Sequence, residues 1–194
     1  MSFLPKNYEK PASGSNYMKL KQGNNKFRIL SDAIVGWIDW DKSGDKPMPV
    51  RTKEKQSQLG EDKIKHFWSF VVFDYEEKEI KILELTQSTI QEAIYSLHND
   101  ENWGDPKEYD INIVKTGEKM ETKYNVIPTP PKPLNEEIEK MYKDVKIDLN
   151  KLFTNDDPFA TNDDKTPQAT QSPTIDDIPQ PEEEEIDIKD IPFG

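Results

Sequence analysis

Cysteine is absent from this 194-residue chain, and histidine occurs only as His66 and His98. The first absence excludes disulfides and thiolate metal sites. The second, with no His-x-His or His-Glu-x-x-His spacing, leaves no donor set for zinc. Apolar residues are also scarce, at 33% with a mean hydropathy of −0.92. No apolar run approaches membrane-spanning length, and the first ten residues, MSFLPKNYEK, lack the apolar core of a secretory leader. These shortages predict a soluble, cytoplasmic protein. Together with 15 prolines, they predict that part of it is disordered.

Charge is unevenly placed. The net charge is −12, but residues 154–194 hold 12 acidic residues and 2 lysines, a net of −10. Residues 1–72 hold 13 Lys/Arg against 8 Asp/Glu, a net of +5. A basic N-terminal half beside an acidic tail is compatible with a polyanionic partner for the body.

The richest stretch is 65–86, KHFWSFVVFDYEEKEIKILELT. Two aromatic and β-branched arms flank a charged turn, which is a strand–turn–strand composition. The expected register pairs Tyr75 with Ile80, Phe73 with Ile82 and Val72 with Leu83. Alternation then puts Trp68, Phe70, Val72, Leu83 and Leu85 on a core face, with Asp74 opposite Lys81. The other face carries Phe67, Ser69, Val71, Phe73, Tyr75, Ile80, Ile82, Glu84 and Thr86. An aromatic face with polar neighbours suits stacking of unpaired bases; the alternative is that a helix or second sheet covers it.

Around this hairpin the chain predicts an arm over 1–24, then one long first strand from Asn25 to Trp40, bent at Ser31-Asp32 and Gly36. A polar, basic loop follows at 41–64. Ser88 and Gln91 predict a capping box for a helix with a stripe of Ile90, Ala93, Ile94 and Leu97. A second hairpin is expected at 109–115 and 122–127, with Gly117 in its turn. Residues 128–133, PTPPKP, read as a stiff linker, and Asn135 as the cap of a helix over 136–146. After Phe153 the pattern is that of disorder.

Five strands with a helix between the third and fourth is the order of the OB-fold, a small Greek-key barrel that binds oligonucleotides on strands two and three and the neighbouring loops. The predicted fold is therefore mainly β: a five-stranded OB barrel over 25–128 with a capping helix. A linker and short helix occupy 129–153, and a disordered acidic tail 154–194. An SH3-like barrel or a β-sandwich is the alternative. On the OB reading, Lys26, Arg28, Arg51, Lys53, Lys55 and Lys65 contact phosphates, and Trp37, Phe67, Phe73 and Tyr75 stack on bases. Trp37 and Trp40 fall on opposite strand faces, and Trp37, beside Gly36, is the one expected outward.

The run KHFWSFVVFDYEEKEIKILELTQSTIQEAI, preceded by ILSDAIVGWIDW and followed by WGDPKEYDINI, resembles the single-stranded DNA-binding proteins encoded by bacteriophages, over roughly residues 20–135. The ending PEEEEIDIKDIPFG is similar to the acidic tip of bacterial single-stranded DNA-binding proteins, which ends Asp-Ile-Pro-Phe. The resemblance implies that Asp190, Ile191, Pro192 and Phe193 dock replication and recombination proteins, although Gly194 follows where the bacterial tip ends. Asp157-Pro158-Phe159 and Asp176-Asp177-Ile178-Pro179 read as degenerate copies of that tip. The implied role is to coat and protect single strands, without enzymatic activity, cofactor or metal. Two other functions fit parts of the sequence. A metal-dependent nuclease could use Glu76, Glu77 and Glu79 or Asp39 and Asp41, and a DNA-mimicking inhibitor could use the acidic tail.

Overall fold

Strands dominate the computed structural model, which describes residues 15–55 and 64–160. In chain order they are β1 (Gly23–Ile29), β2 (Ile34–Asp41), β3 (Met48–Thr52), β4 (Lys65–Asp74), β5 (Glu79–Leu85), β6 (Asp110–Thr116) and β7 (Lys123–Pro128). Helix α1 (Ser88–His98) lies between β5 and β6, and α2 (Glu136–Asp144) follows β7. All strand pairs are antiparallel and belong to one sheet, ordered β3-β2-β4-β1-β6-β7, with β5 on the other side of β4. Among the described residues no helix is long and apolar enough to cross a membrane.

The expected closed barrel is not formed. β1 and β2 both lie along β4, as a bent first strand would, and Ile29↔Val72 gives way to Ile34↔Ser69 across the break. Two extra residues are accommodated there, with Ser31 Oγ accepting from the Val71 amide. The pairing that would close the sheet, β5 with β7, is missing among the described residues. The reason is an occupied edge. Met18 N donates to Ile82 O and Ile82 N donates to Asn16 O, both at 2.9 Å, so the segment at 16–18 holds the free side of β5. The apolar stripe of α1 packs beside β7, with Ile90 and Ile94 in the same cluster as Leu85 and against Val126.

Other local expectations change for physical reasons. The loop expected at 41–64 contains β3, which pairs with β2 as a hairpin. The central hairpin keeps its faces but shifts its register by two residues, so that Val72 pairs with Lys81 and Asp74 with Glu79. Asp74 Oδ1 accepts from the amides of Glu76 and Glu77, which starts the turn one residue early. Lys78 closes it at φ 58°. Lys81 pairs with Glu77 and Glu79 rather than with Asp74. The capping box of α1 is absent: its N-cap is Gln87, with no side-chain bond. Gln91 instead donates to the carbonyls of Leu85 and His66. Asn135 does cap α2, accepting from Glu137 N at 2.7 Å, and α2 stops at Asp144 because Val145 is extended.

Two apolar layers result. The inner one is the expected core face, with Phe70, Val72, Leu83 and Leu85 joined by Phe27, Ile29, Ile111, Ile113 and α1. The outer one covers the other face of β4 and β5, where Val71 and Ile82 meet Tyr17, Leu149 and Leu152. Leu149 and Leu152 come from a 3-10 turn, Leu149–Phe153, in the segment expected to be linker and helix. The packed body thus extends to residue 159, whose ring lies against this layer.

Candidate nucleic-acid interface

The covering of the outer face decides where the expected contact residues sit. Phe67 (0% exposed) and Phe73 (6%) are buried, so neither offers a ring to an incoming base, and the face expected as a stacking platform is a second core layer. Phe67 lies 6.0 Å from Phe153, centroid to centroid, under the C-terminal turn. Gly36 makes that packing possible: a Cβ there would meet Thr52 O at 2.5 Å and the rings of Phe67 and Phe153 at 2.9 and 3.0 Å. It is close approach, rather than a bulge, that needs glycine here.

Both expected arginines are also inside. Arg51 grips Glu84 in a two-pronged pair, Nε to Oε2 at 2.8 Å and Nη2 to Oε1 at 3.3 Å. Arg28 donates from Nη1 to Asp110 Oδ1 at 3.1 Å, from Nε to Lys107 O at 2.8 Å and from Nη2 to Lys132 O at 2.7 Å. Their donors are committed to internal acceptors, so a phosphate in solvent reaches neither. They hold the sheet together.

The remaining six expected residues stand nearer the surface, in separate places. On the inner side of β2 and β4, Trp37 is half-buried and its ring meets His66 edge-on at 5.1 Å. The Lys55 ammonium lies 5.1 Å from the Trp37 ring centroid, close enough for a cation–π contact. His66 is braced by Gln91, whose Oε1 lies 3.3 Å from Nδ1. One pair further along, exposed Val35 stands opposite half-buried Trp68. Strand alternation places Val35, Trp37, His66 and Trp68 in one strip. Lys53 lies over the Phe153 ring at 5.4 Å, and Lys65 is exposed at the start of β4. Trp40, expected to be inward of Trp37, is half-buried as well.

Lys26 and Tyr75 form a second group, on the outer side. Tyr75 donates to Asp110 Oδ1 at 2.9 Å, and Lys26 lies 4.6 Å from its ring centroid. Burial, together with the bond to Asp110, pushes the Tyr75 phenol up to about 12. Lys132, in the stretch read as a spacer, joins this group with Nζ 2.8 Å from Asp110 Oδ2. His66 and Lys132 are the two participants that the sequence reading missed. Lys132 is the one cation inside the PTPPKP run, and a charge on a stiffened backbone is the signal that could have marked it.

Asp110 is fully buried. Its desolvation pushes the carboxyl up, but the Lys132 and Lys26 ammonium groups beside it and the hydrogen bonds from Tyr75 and Arg28 outweigh that and hold it below the ordinary carboxylate range. The turn carboxylates considered for a metal are committed elsewhere, Glu76 and Glu77 to Lys21 and Glu77 and Glu79 to Lys81, while Asp39 accepts from the Trp40 amide and Asp41 from the Ser43 amide. Among the described residues no group of three or more His, Asp or Glu could hold a metal ion. The tip residues Asp190, Ile191, Pro192 and Phe193, and the motif copy at 176–179, lie outside the described residues. No protein-family model, curated protein or solved structure matches the chain.

Proposed function

We propose that the chain is a single-stranded DNA-binding protein that coats and protects exposed strands. The observation that carries this reading is the strip on β2 and β4, where the half-buried Trp37 ring is braced by His66 and carries the Lys55 ammonium. An aromatic ring braced edge-on by a neighbour, with a mobile lysine over it that a base can displace toward its phosphate, supplies stacking and charge together. That combination binds unpaired bases with little regard to sequence.

The strand connectivity supports the same reading. Taking β1 and β2 as one bent strand, the sheet contains four of the five pairings of an OB barrel and lacks only the closing one. Lys53 and Lys55 end the described part of a basic loop that the OB reading places beside the ligand, and Lys65 begins β4 on its far side. Recruitment of replication and recombination partners through residues 190–193, and a bacteriophage setting, belong to the same proposal and rest on the sequence of the tail.

The test is quenching of tryptophan fluorescence by oligo-dT, compared with duplex of equal length. Strand-selective quenching is expected. Trp37→Ala should lower affinity by about 5- to 150-fold, the equivalent of about 1–3 kcal/mol of stacking, with the thermal unfolding transition retained. Absence of oligo-dT binding by the full chain and by a chain ending at residue 160 would sink the reading. Binding that appears only in the shortened chain would instead support it, with the acidic tail as competitor.

A further inference from the structure

Three cations converge on one buried carboxylate at the β1–β6 end of the outer face, and their charges do not balance. Arg28 neutralises Asp110 by itself, and both side chains are sealed, with exposures of 2% and 0%. Lys26 and Lys132 then add two further ammonium groups, 3.1 and 2.8 Å from the same oxygen, Asp110 Oδ2. Counting Arg28, Lys26 and Lys132 against Asp110 leaves a surplus of two positive charges.

The two lysines are also held in position. Their side chains remain 43% and 51% exposed, yet their ammonium groups are anchored from below by a carboxylate that cannot move into solvent. Both lie over the Tyr75 ring, at 4.6 and 6.0 Å from its centroid, and the Tyr75 hydroxyl is fixed on Asp110 Oδ1. Lys132 cannot wander far, because its backbone amide donates to Glu108 O and its carbonyl accepts from Arg28. The acidic residues of the adjoining β4–β5 turn, Glu76 and Glu77, are engaged by Lys21.

We infer that Lys26 and Lys132, held over Tyr75 by Asp110, form a binding site for one phosphate group. Two ammonium groups that share one carboxylate oxygen are close enough to be bridged by one phosphate from the solvent side, and the surplus charge gives that phosphate its attraction. The source assigned here is a phosphodiester of a bound single strand, which rests on the function proposed above. The site lies on the opposite side of the sheet from Trp37, so a strand using both would pass around an edge of the sheet.

The experiment compares full-length protein with the Lys26→Gln/Lys132→Gln and Lys26→Arg/Lys132→Arg pairs. Oligo-dT affinity is measured over a range of salt, and backbone amide resonances are followed during titration with inorganic phosphate. The glutamine pair should flatten the dependence of log K on log salt by about 0.7, the value for one phosphate of a single strand. The arginine pair should restore the slope. Inorganic phosphate should shift the Tyr75 amide in the wild type and not in the glutamine pair. Thermal unfolding should change little, because Arg28 and Tyr75 still hold Asp110. If wild type binds oligo-dT but the glutamine pair keeps both its slope and its phosphate response, the site is overturned and the proposed function stands. If wild type ignores oligo-dT while phosphate still shifts Tyr75, the nucleic-acid reading fails and the site is one for a free phosphate group. If phosphate shifts nothing and the slope is unchanged, the inference is wrong.

Discussion

The outer face of the sheet carries two buried arginine–carboxylate pairs with different surroundings. Arg51–Glu84 is shut under the C-terminal turn, with the Arg51 guanidinium 6.0 Å from the Phe67 ring and Asn155 Oδ1 at 3.5 Å from Nη1. Arg28–Asp110 is equally buried but rimmed by Lys26 and Lys132, which reach water. The first pair has one cation for one anion and no route outward. The second has three cations for one anion and an open side. A buried ion pair by itself is therefore a structural device; what surrounds it decides whether it can also serve a ligand.

The closed pair should show the larger stability effect. Glu84→Ala would leave the Arg51 guanidinium buried without its carboxylate, which costs about 3–5 kcal/mol. Replacing both partners with apolar residues of similar size, Arg51→Met with Glu84→Leu, should recover most of that loss, since no charge remains to be desolvated. Urea denaturation of the three proteins checks this. Equal destabilisation by the single and double replacements would mean that packing rather than charge governs this end.

Asp110→Asn should cost less, about 1.5–3 kcal/mol, the range for hydrogen bonds to a charged group. Arg28 keeps its two carbonyl acceptors, and the two lysines can turn to water. The loss should also depend on pH. The Asp110 carboxyl is held lower in the folded chain than its ordinary 3.8, so the unfolded chain takes up the proton first. The contribution is full above 3.8 and disappears as pH falls through the folded value. The stability gap between wild type and Asp110→Asn should therefore be constant near neutrality and close in acid. A gap that stayed constant below pH 3.8 would show that Asp110 is not held low.

How much of this contrast could be read from the sequence depends on the distance over which each feature is determined. The faces of the central hairpin were legible, because a two-residue register shift leaves every side chain on its own side. The shift itself was not, since it depends on Asp74 Oδ1 turning to the Glu76 and Glu77 amides. The cover on the outer face was hidden for a different reason. Tyr17, Leu149, Leu152 and Phe159 lie in short apolar clusters within polar segments, too brief to announce a strand or a helix of ordinary length. Arg28 and Arg51 looked like surface cations because their partners lie 82 and 33 residues away. Phe67 and Phe73 were misplaced by the cover above them, and the expected contrast between an outward Trp37 and an inward Trp40 is not seen, since both are half-buried.

The finest difference between the two ends is the phenol that only one of them has, and Tyr75→Phe isolates it. The substitution removes one hydrogen bond to Asp110 and keeps the ring beneath both lysines. Because Asp110 retains Arg28, Lys26 and Lys132, the cost at neutral pH should be about 1 kcal/mol, in the middle of the range for a single hydrogen bond. Alkali should then erase it. Burial, with the bond to Asp110, raises Tyr75 from 10.0 to about 12; burial, with the charge of Asp105, does the same for Tyr109. A raised phenol contributes stability that is full below 10.0 and is lost as pH climbs toward 12, because the unfolded chain ionises first. Wild type should lose more stability than Tyr75→Phe across that window, so the two curves should meet. Tyrosinate absorbance should show a late-ionising component to which Tyr75 and Tyr109 contribute in the wild type, and which is smaller by one phenol in the variant. If the late component were the same size in both, Tyr75 would not be sheltered, and the open end would differ from the closed one by its lysines alone.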